Sequence, residues 1–343
     1  MKKVLIIYHR EDNDGVCSAA IIKSFLTKYG REKYSFDFIG ASYADLADYW
    51  NNGWNNDDCG HTSMADWVLY DQIYMVDISF NDPDAMQWMY DILQNNFIWC
   101  DHHKPAIDLS QQYDYGKCNG VRRTDQSAIL NTWDWMSAIL PEYSGLILIQ
   151  PEPSEWIKML SDYDSWAYSK MDKYKKEANR EWLFNFNTGV THTSNLKIDW
   201  FTNWITNWFE DPDIHIKNAI ECVKYGTTIR TLDKTRQSEA IHQYGDTNWF
   251  CGDRKMCMLF TTERMNSLSF SGFLDTDIKN GGVLKYDNKT DKWILSLYNV
   301  NDNDDFDCGQ YLKDNYGGGG HKGAAGCTLT KEQVVSLLLN REL

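Results

Sequence analysis

The chain is short of positive charge. It carries 34 lysines and arginines against 49 aspartates and glutamates, a formal balance of −15. Long nucleic acid favours basic faces, so a protein that coats DNA or RNA is disfavoured. The longest basic stretch is Lys173-Tyr174-Lys175-Lys176, too little for an electropositive strand channel. Long apolar runs are missing too. No window of about 18 apolar residues exists, so no transmembrane helix is expected. The opening Met1-Lys2-Lys3 leads into the apolar run Val4-Leu5-Ile6-Ile7-Tyr8, which ends at His9 and charges, so a signal peptide is rejected. The nine cysteines never fall in a CxxC spacing and their number is odd. Neither a disulfide framework nor a zinc knuckle is therefore indicated. They read as reduced, mostly buried thiols of a cytoplasmic protein.

What remains describes a folded α/β chain. Hydrophobic residues make up 43% and charged residues 24% of 343 positions, enough for buried cores and about two domains. Fifteen tryptophans and twenty tyrosines supply core and interface bulk, and some of them could stack on bases. Residues 4–8, 34–40, 73–77 and 97–100 read as strands, the apolar runs among them as strands covered on both faces. Helices are expected over about 16–29, 82–94, 125–139 and 153–163. This alternation implies a parallel-sheet domain over 1–185. Residues 51–61 read as an Asn-rich loop, and 186–212 resist placement. A long connecting helix starts at Asp211-Pro212-Asp213, within a linker of 186–248. Strands at 255–261, 281–286 and 293–299, a glycine cluster at 317–320 and a helix at 331–340 form a smaller α/β domain over 249–343. The acidic run Asp302-Asn303-Asp304-Asp305 reads as a solvated loop.

Chemistry-bearing residues gather at strand ends. His9, Asp12 and Asp14, closed by Gly15, follow the first strand; in an open parallel sheet, ligands bind beyond such carboxyl ends. Carboxylate with imidazole suits Mn²⁺, Fe²⁺ or Zn²⁺. The ordinary alternative is a polar turn in which Asp14 caps the helix. Asp77 ends the strand IYMV. Asp101-His102-His103-Lys104 follows the next strand, where adjacent histidines point to opposite sides, one toward a metal and one toward a substrate anion. Ser161-Asp162-Tyr163-Asp164 offers a further acid. Together these give about seven ligands, the number a two-cation site acting at phosphorus needs. Gly317-Gly318-Gly319-Gly320-His321-Lys322 can form an anion-binding nest, with His321 and Lys322 adding donors.

In this order the motifs resemble the DHH phosphoesterase superfamily: YHREDNDGVCSAAI from Tyr8, MVDIS from Met75, WCDHHK from Trp99 and SDYDSW from Ser161. GGGGHKGAAG from Gly317 is similar to the signature of the DHH-associated C-terminal domain, and argues against the family II pyrophosphatase branch. The resemblance spans residues 8–326. It implies two lobes with the active site in the cleft between them, the larger holding two divalent cations, usually Mn²⁺, and the smaller binding nucleotide. Members include RecJ-like single-strand exonucleases, oligoribonucleases, phosphatases of 3′-phosphoadenosine 5′-phosphate and cyclic dinucleotide phosphodiesterases.

By motif, the resemblance assigns His9 and Asp12 to one metal and Asp14 and His102 to the other, with Asp77 bridging. Asp162 fits the last acid position better than Asp164, with both left open. His103 would contact the scissile phosphate and Asp101 would orient a histidine. His321, with Gly318, Gly319, Gly320 and Lys322, would hold a substrate phosphate. One departure stands out. The strand before the glycine signature often ends in an arginine, whereas here it reads Ser296-Leu297-Tyr298-Asn299. Tyr298 could stack on a base or sugar instead, and Arg122 or Arg123 could supply charge. The expected function is a two-metal phosphodiesterase acting on short oligonucleotides or on linear or cyclic dinucleotides. Long duplex DNA and membranes are excluded as partners, and a homodimer is left open. The alternatives are a RecJ-like exonuclease and a non-catalytic nucleotide-binding module.

Overall fold

Four strands build the first sheet, three of them on apolar runs. They are β1 (Lys2–His9), β2 (Tyr34–Ala41), β3 (Gln72–Val76) and β4 (Phe97–Cys100). The structure is a computed structural model, and it describes all residues except 53–63, 145–151, 211, 263–264, 266, 274–275, 289–290, 301–304 and 321. The strands pair in parallel in the order β2-β1-β3-β4. Alternate side chains of β1 leave the sheet on opposite sides, as a pleated strand requires. Val4 and Ile6 join one buried cluster, and Leu5 and Ile7 join another. Both faces are therefore covered, which explains the unbroken Val-Leu-Ile-Ile run.

Helices close these clusters. α1 (Asn13–Tyr29) follows β1, and α2 (Tyr43–Asn52) follows β2. α3 (Pro83–Leu93) begins with proline in its first turn, behind the capping Asp82. α4 (Lys104–Ser110), α5 (Ala128–Ser144) and α6 (Glu155–Asp164) follow β4. α7 (Glu177–Ser194) and α8 (Ile198–Glu210) come next. Phe186, Val190, Phe201, Trp204 and Ile205 from α7 and α8 are buried with α1 in the first cluster. The segment that defied placement in the sequence is thus helical core.

The chain divides into two units, Met1–Ile229 and Arg230–Leu343. The residues expected as the start of a linker, from 186, belong to the first unit. α9 (Pro212–Tyr244) runs through the division as one helix of 33 residues. The second unit holds β5 (Asp246–Cys251), β6 (Arg254–Phe260), β7 (Asn280–Asp287), β8 (Lys292–Asn299), β9 (Gly319–Gly320) and β10 (Ala324–Leu329). They form one sheet in the order β5-β6-β7-β8-β10-β9. α10 (Cys308–Tyr316) lies before β9, and α11 (Lys331–Asn340) closes the chain behind a Thr330–Gln333 capping box. The eight cysteines among the described residues are buried and unpaired. Among the described residues no helix is long and apolar enough to cross a membrane.

Candidate metal centre

In the first sheet the chain moves from β1 outward to β2, then returns to the other side of β1 as β3. At such a reversal the loops beyond the carboxyl ends of β1 and β3 diverge and leave a crevice. His9 ends β1, and Asp77 follows β3 directly.

The turn from β1 into α1 is very tight. A side chain at Gly15 would place its Cβ 2.1 Å from the His9 carbonyl oxygen, so only glycine fits. Asp12 caps the helix: its Oδ1 accepts from the Gly15 N–H at 3.1 Å, and its Oδ2 lies 2.9 Å from His9 Nδ1. Asp14 does not cap α1. It is buried and faces the start of α5, where Oδ1 accepts from Ser127 Oγ (2.8 Å) and Ile129 N (2.7 Å), and Oδ2 from Ala128 N (2.9 Å). The start of the helix thus meets this buried carboxylate with three hydrogen-bond donors.

Asp77 sits at φ +58°, a left-handed conformation that aspartate tolerates better than most residues. Its N–H donates to Cys100 O at 2.9 Å, tying β3 to β4. Both carboxylate oxygens are buried and accept no hydrogen bond among the described residues. One is 3.5 Å from His9 Nδ1, the other 3.3 Å from His102 Nε2. Burial first, and the Asp14 charge second, push the Asp77 pKa well above the ordinary carboxylate value. Asp164 is raised by the same two causes in the same order. At His9, burial pulls the pKa down, but Asp12 and Asp77 overcome it and raise the imidazole to about 10. The cluster holds more carboxylates than its own cations can balance.

Three groups of side chains have ligand atoms within 4.8 Å of one another: His9, Asp12 and Asp77; Asp14, His102 and Asp164; and Asp77, His102 and His103. Asp77 and His102 each belong to two of them. Carboxylate oxygens and imidazole nitrogens suit a hard or borderline divalent cation. The unpaired oxygens of Asp77 are what a cation would satisfy, so the residues fit such ions.

Asp101 organises the histidines. Its Oδ1 accepts from His102 N (2.7 Å), His103 N (3.1 Å) and His103 Nδ1 (2.8 Å), while Oδ2 accepts from Trp99 Nε1 at 3.1 Å. This places the proton of the His103 ring on Nδ1 and leaves Nε2 as the free ring nitrogen. His103 keeps 37% of its side chain exposed, the most open of the three histidines.

Of Asp162 and Asp164 on α6, Asp164 is the one that lies against His102, whereas the sequence favoured Asp162. Two residues on a helix differ by about 200°, so only one can face the crevice. Asp164 Oδ2 lies 3.2 Å from His102 Nε2. Asp162 points the other way, accepting from Tyr174 OH at 2.9 Å and pairing with Lys173 Nζ at 2.7 Å.

Other expectations land elsewhere. Arg122 donates to the carbonyls of Trp99, Asn119, Gly116 and Cys118, and Arg123 pairs with Asp125 and Asp134. Both are spent on the protein itself. Tyr298 stacks on Phe270 and donates its hydroxyl to Met265 O at 3.0 Å, so it packs into the second unit's core. Gly317 takes φ +67° as the left-handed C-cap of α10, where the Gly317 and Gly318 N–H groups donate to Lys313 O and Leu312 O. Gly319 and Gly320 form the edge strand β9 on β10. The open nest expected there is instead a helix cap and a strand. Lys322 Nζ lies 3.6 Å from Asp305. His321 and residues 302–304 of the acidic run lie outside the described residues, as does nearly all of the Asn-rich loop.

Sequence reading did not single out Tyr43 or Ser127. Tyr43 opens α2, and its ring lies 5.8 Å from that of His9 and 5.9 Å from that of His103. Burial, then the charges of Asp101, Asp77 and Asp12, raise its pKa. The signal was available: β2 is parallel to β1, so the residues after it reach the same sheet edge.

Residues 3–128 match the model of the DHH family, N-terminal domain. No curated protein matches the chain. Among solved structures, the DHH domain of a member of a family of ribosomal proteins is 11% identical, with 99% of this chain and 86% of that chain covered and a TM-score of 0.50. PggH of Vibrio cholerae, a pGpG-specific phosphodiesterase, is 14% identical over 99% of this chain and 97% of that one, with a TM-score of 0.47. An exopolyphosphatase-related protein of Bacteroides fragilis is 16% identical over 99% and 91%, with a TM-score of 0.38.

Proposed function

We propose that the chain, a member of the DHH superfamily by its N-terminal domain, is a two-metal phosphodiesterase that hydrolyses short oligonucleotides or dinucleotides, linear or cyclic, to nucleoside monophosphates. The observation that carries this reading is Asp77: a buried carboxylate whose oxygens accept no hydrogen bond among the described residues, standing within 3.5 Å of His9 and 3.3 Å of His102. Burying a carboxylate whose oxygens accept no hydrogen bond is costly unless a cation meets it. His9 and Asp12 would hold one divalent cation, Asp14, His102 and Asp164 the other, with Asp77 shared.

When bound, the cations, Mn²⁺ foremost, would acidify a water toward neutrality and place positive charge against the phosphate. The chain's own residues do the rest. Asp101 fixes the His103 ring through Nδ1, so Nε2, when it also carries a proton, would donate to a phosphoryl oxygen without rotamer search. The α5 N-terminus holds Asp14 in one orientation, keeping its remaining lone pairs for a cation. His321 and Lys322 are proposed as phosphate-binding residues of the second unit. The net charge of −15 argues for short substrates, since a long polymer would meet repulsion beyond the cation site.

The test is a substrate panel with added Mn²⁺: bis-p-nitrophenyl phosphate, RNA and DNA of two to five nucleotides, long single strands, linear and cyclic dinucleotides, and pyrophosphate. Preference for the short nucleotides supports the proposal. Preference for long strands with steep salt dependence would point to an exonuclease. Binding without turnover would point to a sequestering module, and cleavage of pyrophosphate alone would overturn the reading.

A further inference from the structure

Asn13 stands between Asp12 and Asp14, two carboxylates of the candidate centre. Its side chain is buried, with 6% of the residue exposed. The amide nitrogen is committed to α7, outside the stretch that matches the family domain. It lies 2.8 Å from Thr191 Oγ1, 2.9 Å from Asn187 Oδ1 and 3.4 Å from the Asn187 carbonyl. Thr191 gives its own hydroxyl proton to the Asn187 carbonyl at 2.9 Å. Toward Asn13 the Thr191 hydroxyl and the Asn187 carbonyl can therefore only accept. These acceptors fix the orientation of the amide: Nδ2 toward α7, Oδ1 turned away. Oδ1 is buried with no partner among the described residues. The amide thus leaves its oxygen without a partner among the described residues while its nitrogen makes three contacts with one helix.

The place of this clamp is what gives it meaning. Asp12 belongs to the group with His9, and Asp14 to the group with His102 and Asp164. Asn13 is the one residue between them. We infer that Asn13, clamped by Asn187 and Thr191, is a positioning residue that sets the separation of Asp12 and Asp14 and so tunes divalent-cation affinity from α7. The inference rests on the metal-centre reading above.

Wild type, Thr191→Val, Thr191→Ser and the double variant Asn187→Ala/Thr191→Val are titrated with Mn²⁺ by thermal shift, starting from chelator-treated protein. Hydrolysis of bis-p-nitrophenyl phosphate is followed at limiting and saturating Mn²⁺. The double variant is expected to need about tenfold more Mn²⁺, the scale typical of residues that orient metal ligands. Its activity should fall at limiting Mn²⁺ and recover at saturation. Thr191→Ser keeps the acceptor and should match wild type, and Thr191→Val should fall between. If the double variant does not fold, Thr191→Val against Thr191→Ser decides. A lower melting temperature in chelator with an unchanged Mn²⁺ requirement would show that the clamp only glues α1 to α7, and would overturn the inference. Wild type that shows no Mn²⁺-dependent shift would instead overturn the metal-centre reading.

Discussion

Asp162 and Asp164 are two positions apart and face opposite ways. Asp164 meets His102 across the crevice, whereas Asp162 is held by Tyr174 and Lys173. Asp164→Asn should weaken Mn²⁺ binding at least about tenfold. Asp162→Asn should leave Mn²⁺ binding intact and cost about 1–2 kcal/mol of stability through its lost partners. Isothermal titration and chemical denaturation separate the two. A pH dependence follows from His9. Its folded pKa, about 10, lies above the ordinary 6.5, so its pairing with Asp12 and Asp77 stabilises the cation-free protein fully below pH 6.5. That contribution is lost as pH rises toward 10. Asp77 and Asp164, also raised, contribute with the same sign. The melting temperature in chelator should therefore fall between pH 6.5 and 10, while the increment from Mn²⁺ should grow as protons stop competing. A flat profile in chelator would contradict the geometry. His9, Asp12, Asp14, Asp77, His102 and His103 were legible because each lies at or just beyond a strand end. The choice between Asp162 and Asp164 was not, since helical phase depends on how α6 is rotated.

At the scale of elements, the glycine at the head of α1 decides whether the strand end and the helix start can coexist. Gly15→Ala drives a methyl into the His9 carbonyl, and overpacking of this kind costs about 1–3 kcal/mol. Denaturation should show that loss, together with weaker Mn²⁺ binding, because His9 must move. Ser127→Ala removes a single bond to Asp14, so about 1 kcal/mol is expected with the remaining N–H bonds keeping the carboxylate in place. The buried parallel strands could be read directly, since their apolar runs are short and end in turn residues. α7 and α8 could not. Their tryptophans, phenylalanines and asparagines are interleaved, and which aromatic faces inward is set by packing on α1 and not by the local pattern. β9 and β10 were hidden by glycine and alanine, residues that carry no strand signal yet suit close strand pairing.

For the whole molecule, the acidic balance of −15 and a phosphate-directed site are compatible only if local and net potential differ in sign. Asp12, Asp14, Asp77 and Asp164 gather four potential negative charges in one crevice, and two divalent cations would supply four positive ones. That balance is countable. Chelator-treated protein is titrated with Mn²⁺ at a concentration well above the dissociation constants, and the initial rate of bis-p-nitrophenyl phosphate hydrolysis is followed per equivalent added. The rate is expected to saturate only at the second equivalent, and Asp77→Asn should lower it by at least about a hundredfold. A rate that saturates at the first equivalent, proceeds in chelator, or survives Asp77→Asn would contradict it.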